Sequence, residues 1–491
     1  MRNSNLRSEK LESPMIRKII CSLCFLLPAP TLLFAQEGYE HFSPIAHGAG
    51  RTYVITSRGL SAVGLNPALL DYDDDKTIQV QIFPLSAYGL DAGASFSDAN
   101  ALSGVFSTGI SHFTDSSLTN IANLLSNGKL SGRGDAEILG ALYKLPEIGS
   151  FAFTWTTHGA VRADIPQSFL DFAQNAEAKL IQSVNSIDNF DLQGMWYSEY
   201  SLSFGKTIGI GRDTSSFLKN ISFGGALKYV SGIAYLKVDP GNYIRTNPGG
   251  GYVALAVNFD ERSSYSSSFD PKNVPNHFSF GFLTSNSAGS GIGADLGICL
   301  GFFSNKTGIP TVLLGISTTD LGSITWNKNA TERIVDHIND TIFYGNASKI
   351  QDVTDSLKKL SGTLRNLSSF TTPLPSMFRA GLQIDLDAMG FQWGVFAPKI
   401  AMEYANGLTG IVGSLKNGRF GAGLTLERTG NIGLRLNGGF VIESGASDIT
   451  LGAGVTLLNF LNIDVASAHV GQFFISGSKE TDIAISVRAA F

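Results

Sequence analysis

The chain is assembled from short stretches in which apolar residues alternate with polar or small ones. Side chains of a strand point to its two faces in turn, so each stretch has one greasy face and one wet face. Phe151, Phe153 and Trp155 oppose Ala152, Thr154 and Thr156, and Tyr200, Leu202 and Phe204 oppose Glu199, Ser201 and Ser203. Phe223, Leu227 and Tyr229 oppose Ala226 and Lys228. Nearer the carboxyl end, Phe420, Ala422, Leu424 and Leu426 oppose Gly421, Gly423, Thr425 and Glu427. Leu434, Leu436, Phe440 and Ile442 then oppose Arg435, Asn437 and Glu443, and Ile449, Leu451, Val455 and Leu457 oppose Thr450, Gly452 and Thr456. Thr481 to Phe491 alternates without a break, with Ile483, Ile485, Val487, Ala489 and the terminal Phe491 against Asp482, Ser486 and Arg488.

Thr429-Gly430-Asn431 and Ser444-Gly445-Ala446 supply the glycine that tight hairpins require. Beyond Ala35 no run reaches the ~18 apolar residues that span a bilayer as a helix. A membrane-embedded chain of this pattern crosses as a closed sheet, because hydrocarbon offers no partner to an open edge. The pattern therefore predicts an all-β fold, a transmembrane antiparallel β-barrel of about 14 and up to 16 strands. The spread arises at Thr77 to Phe96, which reads either as one strand bent at Pro84 or as two. An aromatic residue ending an amphipathic strand is the ending of bacterial outer-membrane barrels, which marks Phe491 as a candidate signal for the barrel-assembly machinery. A half-buried strand of a soluble sheet is the alternative for this segment by itself.

Breaks in the alternation mark long connections. Ser116 to Asn127, Pro166 to Leu180 and Lys349 to Asn366 carry apolar residues at helical spacing and predict short loop helices. Each packs a loop or, in a second reading, covers the lumen as a gate.

The amino end sets the compartment. Arg17-Lys18, an apolar run from Ile19 to Phe34, and Ala35 make a secretory signal, with cleavage expected after Ala35. A lipoprotein reading through Cys21 or Cys24 is weaker, since neither follows a small residue. The expected division is 1–35 as extension and signal peptide, 36–76 as a periplasmic plug segment, and 77–491 as the barrel. Cys299 is then alone in an oxidising compartment, which leaves no disulfide framework and no thiolate metal site. With 43% hydrophobic residues, 16% charged and a net charge of −5, the chain has material for a large core and no basic surplus for nucleic acid. Its 55 glycines suit strands approached closely by other backbone.

The run from Gly48-Ala49-Gly50-Arg51-Thr52 to Asn66-Pro67-Ala68-Leu69-Leu70 resembles the leader of FadL-type and PorV-type outer-membrane proteins. That leader has a glycine-rich start, a small-residue helix and an Asn-Pro-Ala signature before the first strand. In the FadL family this region is similar to a plug folded into the barrel, so the resemblance makes Gly48, Gly50, Asn66 and Pro67 plug or gate candidates. Pro67 restricts the residue before it to extended backbone, and the Asn66 side chain can bond the turn. Asp320-Leu321-Gly322-Ser323-Ile324-Thr325-Trp326 and Leu374-Pro375-Ser376-Met377-Phe378-Arg379-Ala380-Gly381 resemble a group of uncharacterised Bacteroidota-type barrel proteins. Arg51-Thr52 departs from the small pair usual in the leader, and the last strand lacks a glycine common near the terminal aromatic.

Catalysis finds little support. His158, His277 and His469 have no nucleophile elbow beside them, no His-x-x-x-His helix or paired cysteines offer a metal site, and Asp73-Asp74-Asp75 lacks calcium-loop spacing. Gly249-Gly250-Gly251 lacks the lysine and helix of a phosphate loop and reads as a hairpin connection. The expectation is a non-enzyme without cofactor or metal. Strand parity turns Glu199, Lys228, Glu427, Arg435, Glu443 and Arg488 inward, where they line the lumen or, in the reading favoured here, pair with other charges to make burial tolerable. Two functions follow from the resemblances. One is a channel for hydrophobic or amphipathic small molecules; the other is a docking or shuttle component for a secretion-system protein, without transport. Both place the chain in the outer-membrane lipid of a bacterial cell.

Overall fold

The computed structural model describes residues 43–72, 76–82, 88–92, 129–164, 185–188, 191–210, 217–238, 243–249, 252–267, 286–304, 310–343, 363–391, 393–428, 432–443, 446–470 and 481–491. The expected signal segment, Asp73-Asp74-Asp75, His277, the helices expected at 116–127 and 166–180 and most of the two glycine turns lie outside them.

Strand ends in chain order are as follows. β1 comprises Ile78–Ile82 and Tyr88–Ala92, β2 is Lys129–Leu145, β3 Gly149–Asp164, β4 Asp191–Gly209 and β5 Leu218–Val238. β6 is Gly289–Ser304, β7 Pro310–Trp326, β8 Phe370–Pro373 with Met377–Asp385, and β9 Ala397–Gly407. β10 is Arg419–Arg428, β11 Ile432–Glu443, β12 Ala446–Leu457, β13 Leu461–Ser467 and β14 Thr481–Ala490. Each strand pairs antiparallel with the next. β14 also pairs with both pieces of β1, over Tyr88↔Ile485 to Ala92↔Thr481 and Gln79↔Ala490 to Val80↔Ala489, so 14 strands close on themselves. Within the Thr77–Phe96 region, Ile78–Ile82 and Tyr88–Ala92 thus share one strand position, and Pro84 lies outside the described residues.

One end of the barrel has the short connections, such as Leu145 to Gly149 and Leu457 to Leu461, together with Ile78 and Phe491. The other end has nearly all the long ones. There, Asn185–Asp188, Tyr243–Gly249, Tyr252–Tyr265, Thr331–Phe343 and Thr363–Asn366 add a smaller antiparallel ladder beyond the wall. The 349–366 helix expectation is corrected at its end. Thr363–Asn366 is extended and pairs with Thr331 to Ile334, because a neighbouring strand edge satisfies its backbone groups better than a frayed helical turn; residues 349–362 lie outside the described set.

The period-two pattern translates directly into burial. On β5, Phe223, Leu227 and Tyr229 are exposed while Ala226 and Lys228 are buried, and on β11 Leu434, Leu436, Phe440 and Ile442 face out while Asn437 and Glu443 face in. Together with Ile292, Ile316, Tyr404 and Ile449, these side chains form an apolar belt whose exposure to solvent is explained by lipid. Arginine placed at Leu227, which is 72% exposed in that belt, should lower stability in vesicles by about 2–4 kcal/mol. Denaturant unfolding of Leu227→Arg measures this; an unchanged midpoint would remove Leu227 from the hydrocarbon.

Candidate functional site

Residues 43–72 form four helical turns, Pro44–Gly48, Tyr53–Thr56, Gly59–Ala62 and Pro67–Leu69, instead of a sustained helix. Proline, glycine and β-branched residues at close intervals keep any helix from lengthening. Almost every residue of the segment is buried, and its contacts reach inward-facing groups on opposite walls. Its backbone touches the barrel where the barrel has no side chain. A Cβ on Gly224 would strike the Pro67 carbonyl and Ala68 nitrogen, and one on Gly297 would strike the Asn66 side chain. The close approach is therefore written into inward glycines of β5 and β6.

On the opposite wall Thr450 of β12 holds both candidate glycines. Its hydroxyl donates to Gly48 O at 2.7 Å and accepts from Gly50 N at 2.9 Å. Gly50 and Arg51 are both left-handed, with φ of 72° and 54°; for arginine this costs of order 1 kcal/mol. The turn aims the guanidinium at two carboxylates, Asp482 Oδ2 at 3.2 Å and Glu443 Oε2 at 3.5 Å. His47 Nε2 meets Asp482 Oδ1 at 2.5 Å and its Nδ1 meets the Tyr53 hydroxyl at 2.5 Å. Burial pushes the His47 imidazole below its ordinary value against the opposing pull of Asp482. In the neutral form Nε2–H donates to Asp482 and Nδ1 accepts from Tyr53. Asn66 joins two parts of the segment, donating from Nδ2 to Val54 O at 2.8 Å and accepting from Ala68 N at 3.2 Å. Pro67 begins the last turn, and Asp71 beyond it accepts from Thr207 N at 2.9 Å and Ser150 Oγ at 3.0 Å.

The six residues turned inward by parity fall into separate clusters. Lys228 Nζ is fully enclosed by Asp320 Oδ1 at 2.7 Å, Asp295 Oδ1 at 2.9 Å and Glu199 Oε1 at 3.2 Å. His158 lies within β3, with Nδ1 2.6 Å from Asp135 Oδ1 and Nε2 4.0 Å from Glu199. Glu443 belongs to the Arg51 cluster. Glu427 and Arg435 pair at 2.9 Å, with Asp464 2.9 Å from the same guanidinium and Lys399 3.4 Å from Glu427. Arg488 donates to Ser61 Oγ at 2.9 Å and to Gln79 Oε1 at 3.3 Å.

Sequence reasoning did not name Asp295, Asp320, Glu403, Arg419 or Arg51 as lumen groups. Glu403 accepts from Val54 N at 2.6 Å and from Arg419 Nη2 at 3.2 Å. Asp320 escapes the parity rule, because the ladder shifts register beside it and its own φ is 57°. Above Lys228, towards the long connections, Met195, Tyr197, Val230, Tyr235, Trp326 and Leu374 pack with Ile411 and Val412 of the β9–β10 connection. Val412 N crosses the mouth to donate to Gln193 Oε1 of β4 at 3.1 Å. Among the described residues no group of three or more His, Cys, Asp or Glu is arranged to hold a metal ion. His469 Nδ1 lies 3.3 Å from Asp448, and Phe491 stacks on Phe460 with ring centroids 5.5 Å apart.

A closed 14-strand wall with an apolar outer belt, a charge-paired interior and an amino-terminal segment seated against inward glycines defines a transmembrane β-barrel. The chain belongs to the family of unknown function DUF5723, whose profile matches residues 67–451. Among solved structures it is similar to the Ralstonia pickettii toluene transporter TbuX, at 10% identity and a TM-score of 0.38, covering 93% of this chain and 99% of that one. It is also similar to the Pseudomonas putida toluene transporter TodX, at 11% identity and a TM-score of 0.42, covering 93% and 99%. No curated protein matches the chain.

Removing one member of the Lys228 cluster leaves its partners uncompensated. Lys228→Met should cost about 3–5 kcal/mol, and adding Glu199→Gln, Asp295→Asn and Asp320→Asn to it should recover much of the loss. Chemical denaturation of the two proteins checks this; equal stability of Lys228→Met and wild type would mean that the charges are wet.

Proposed function

We propose that this protein is a bacterial outer-membrane channel in which residues 43–72 act as a displaceable plug, with Gly48, Gly50, Asn66 and Pro67 at its seating points, and that its cargo is a hydrophobic or amphipathic small molecule. The observation that carries this reading is the way the segment is held. It is bonded to opposite walls by discrete polar contacts, from Thr450, Asp482 and Glu403 on one side to Thr207 on the other, and bonds of this kind exchange with water or cargo one at a time. The apolar belt and the secretory signal expected at 1–35 support the outer membrane as the location. The exposed terminal Phe491 supports recognition of the chain by the barrel-assembly machinery.

Passage requires the segment to move. Substituting Arg51→Gln and Asn66→Ala together removes contacts to Asp482, Glu443 and Val54 and lowers the cost of displacement. In sealed liposomes the double variant should pass hexanol-sized solutes at least several-fold faster than wild type, with wild type itself above empty vesicles. Equal leakage of all three would overturn the channel reading.

The second reading, a non-transporting docking component of a secretion or attachment system, draws support from the ion pairs that occupy the lumen among the described residues. Under that reading both proteins are inert in liposomes and a cell-envelope protein copurifies in stoichiometric amount.

A further inference from the structure

Four neighbouring strands each send one ionisable side chain to the same point inside the barrel: Glu199 from β4, Lys228 from β5, Asp295 from β6 and Asp320 from β7. The lysine side chain is fully buried, and the three carboxylates share its single ammonium. Its stem lies over Gly293, where a Cβ would meet Leu374 Cδ1 at 2.8 Å and Lys228 Cβ at 3.5 Å, so the amine sits on a packed tether. Above it lies the apolar layer that includes Tyr197, Val230 and Leu374.

The carboxylates are not equivalent. Asp295 stands at a bulge, where the ladder with β7 steps from Ala294↔Leu321 to Leu296↔Thr318, and Asp320 opposite it is left-handed with φ of 57°. The bulge brings the Asp320 N–H to Asp295 Oδ1 at 2.8 Å, and the same oxygen is 2.9 Å from Lys228 Nζ. Asp295 Oδ2 is buried and, among the described residues, has no hydrogen-bond partner. A purely structural network would use both oxygens, because an unmet buried acceptor costs free energy. Here one oxygen is held by a main-chain donor, the other is unbonded, and an amine lies beside the carbon that joins them. That is the geometry of acyl transfer to a lysine.

We propose that Lys228 and Asp295 condense to an isopeptide bond, which cross-links β5 to β6 inside the barrel. Glu199 Oε1, 3.2 Å from Nζ, takes a proton from the ammonium, and the neutral amine attacks Asp295 Cγ while the Asp320 N–H holds Oδ1. The Cγ–Oδ2 bond then breaks. Of the three protons on the ammonium, one stays on the amide and two leave with Oδ2 as water, relayed by Glu199. Nothing is oxidised or reduced, and the net charge of the four groups is unchanged because one cation and one anion vanish together. The amide N–H keeps an acceptor in Asp320 Oδ1, which lies 2.7 Å from Nζ. Enclosure at contact distance supplies a high effective concentration, and the bond removes one desolvated ion pair. The step takes nothing from outside the chain, so it holds whether the barrel transports or docks.

The test takes the full chain from bacterial outer membranes, denatures it, and reads its intact mass and its peptide map, with the amino terminus taken from the same map. The wild type should be lighter than its mature sequence by one water, and a branched peptide should join the segments holding Lys228 and Asp295. Lys228→Arg keeps a cation among the carboxylates without the nucleophile and should show the full mass. Glu199→Gln should leave most chains at the full mass, in protein shown to be folded by the heat-dependent gel mobility of closed barrels. Wild type at its full mass would overturn the bond, and this readout requires no variant to fold. A lost water that maps elsewhere, including a link from Lys228 to Asp320, would overturn the assignment to Asp295. Folded Glu199→Gln linked as completely as wild type would overturn the relay.

Discussion

A sheet in hydrocarbon must close, because an open edge would leave unpaired amide and carbonyl groups with nothing to bond. In this chain closure is made by the last strand against both pieces of the first, and the terminal residue completes it: Phe491 O accepts from Thr77 N at 2.7 Å and Phe491 N donates to Ile78 O at 2.8 Å. Everything else follows from that ring. A closed wall has an inside and an outside, period-two patterning assigns half of every strand to each, and the inner half, being polar, must find partners in a confined space. The charged clusters are answers to that demand, with cation and carboxylate supplied by strands that are neighbours around the ring or by the segment inside it.

Two kinds of complementarity seat that segment. Against β5 and β6 it is steric, since inward glycines let backbone lie on backbone. Against β12 and β14 it is polar, through the Thr450 hydroxyl and the Asp482 carboxylate. The steric side fixes position without directional bonds, while the polar side fixes orientation. Along that same wall, at the short-turn end, segment and strands part around a cavity lined by several cations.

The outward belt was legible because lipid imposes the same rule on every strand. Inward parity was legible for the same reason, and it turned Glu199, Lys228, Glu427, Arg435, Glu443 and Arg488 to the interior. Partnership was not legible. Lys228 meets Asp295 and Asp320 only through the register of β5, β6 and β7, and register across long connections leaves no local trace in composition. Asp320 is harder still, because a left-handed residue at a shifted ladder breaks the alternation that parity relies on. Arg51 read as a departure from the leader pattern; its meaning lies in Glu443 and Asp482, far along the chain. The apolar stripe of 349–366 misled at its end, where an adjacent strand edge overrode helical spacing.

The contact between His47 and Asp482 spans 435 positions of sequence. A chain made from its amino end therefore produces the interior segment first and the group that fastens it almost last. Long-range contacts of this kind are slow to form, since the intervening chain must be ordered before they repay its entropy. Until the later strands are made, residues 43–72 have partners only within the segment, such as Asn66 with Val54, and Arg51 lacks the carboxylates of β11 and β14. The same ordering makes the interior a record of completion: a barrel missing its last strands lacks the polar half of the seat, and only a finished one holds the segment on both sides.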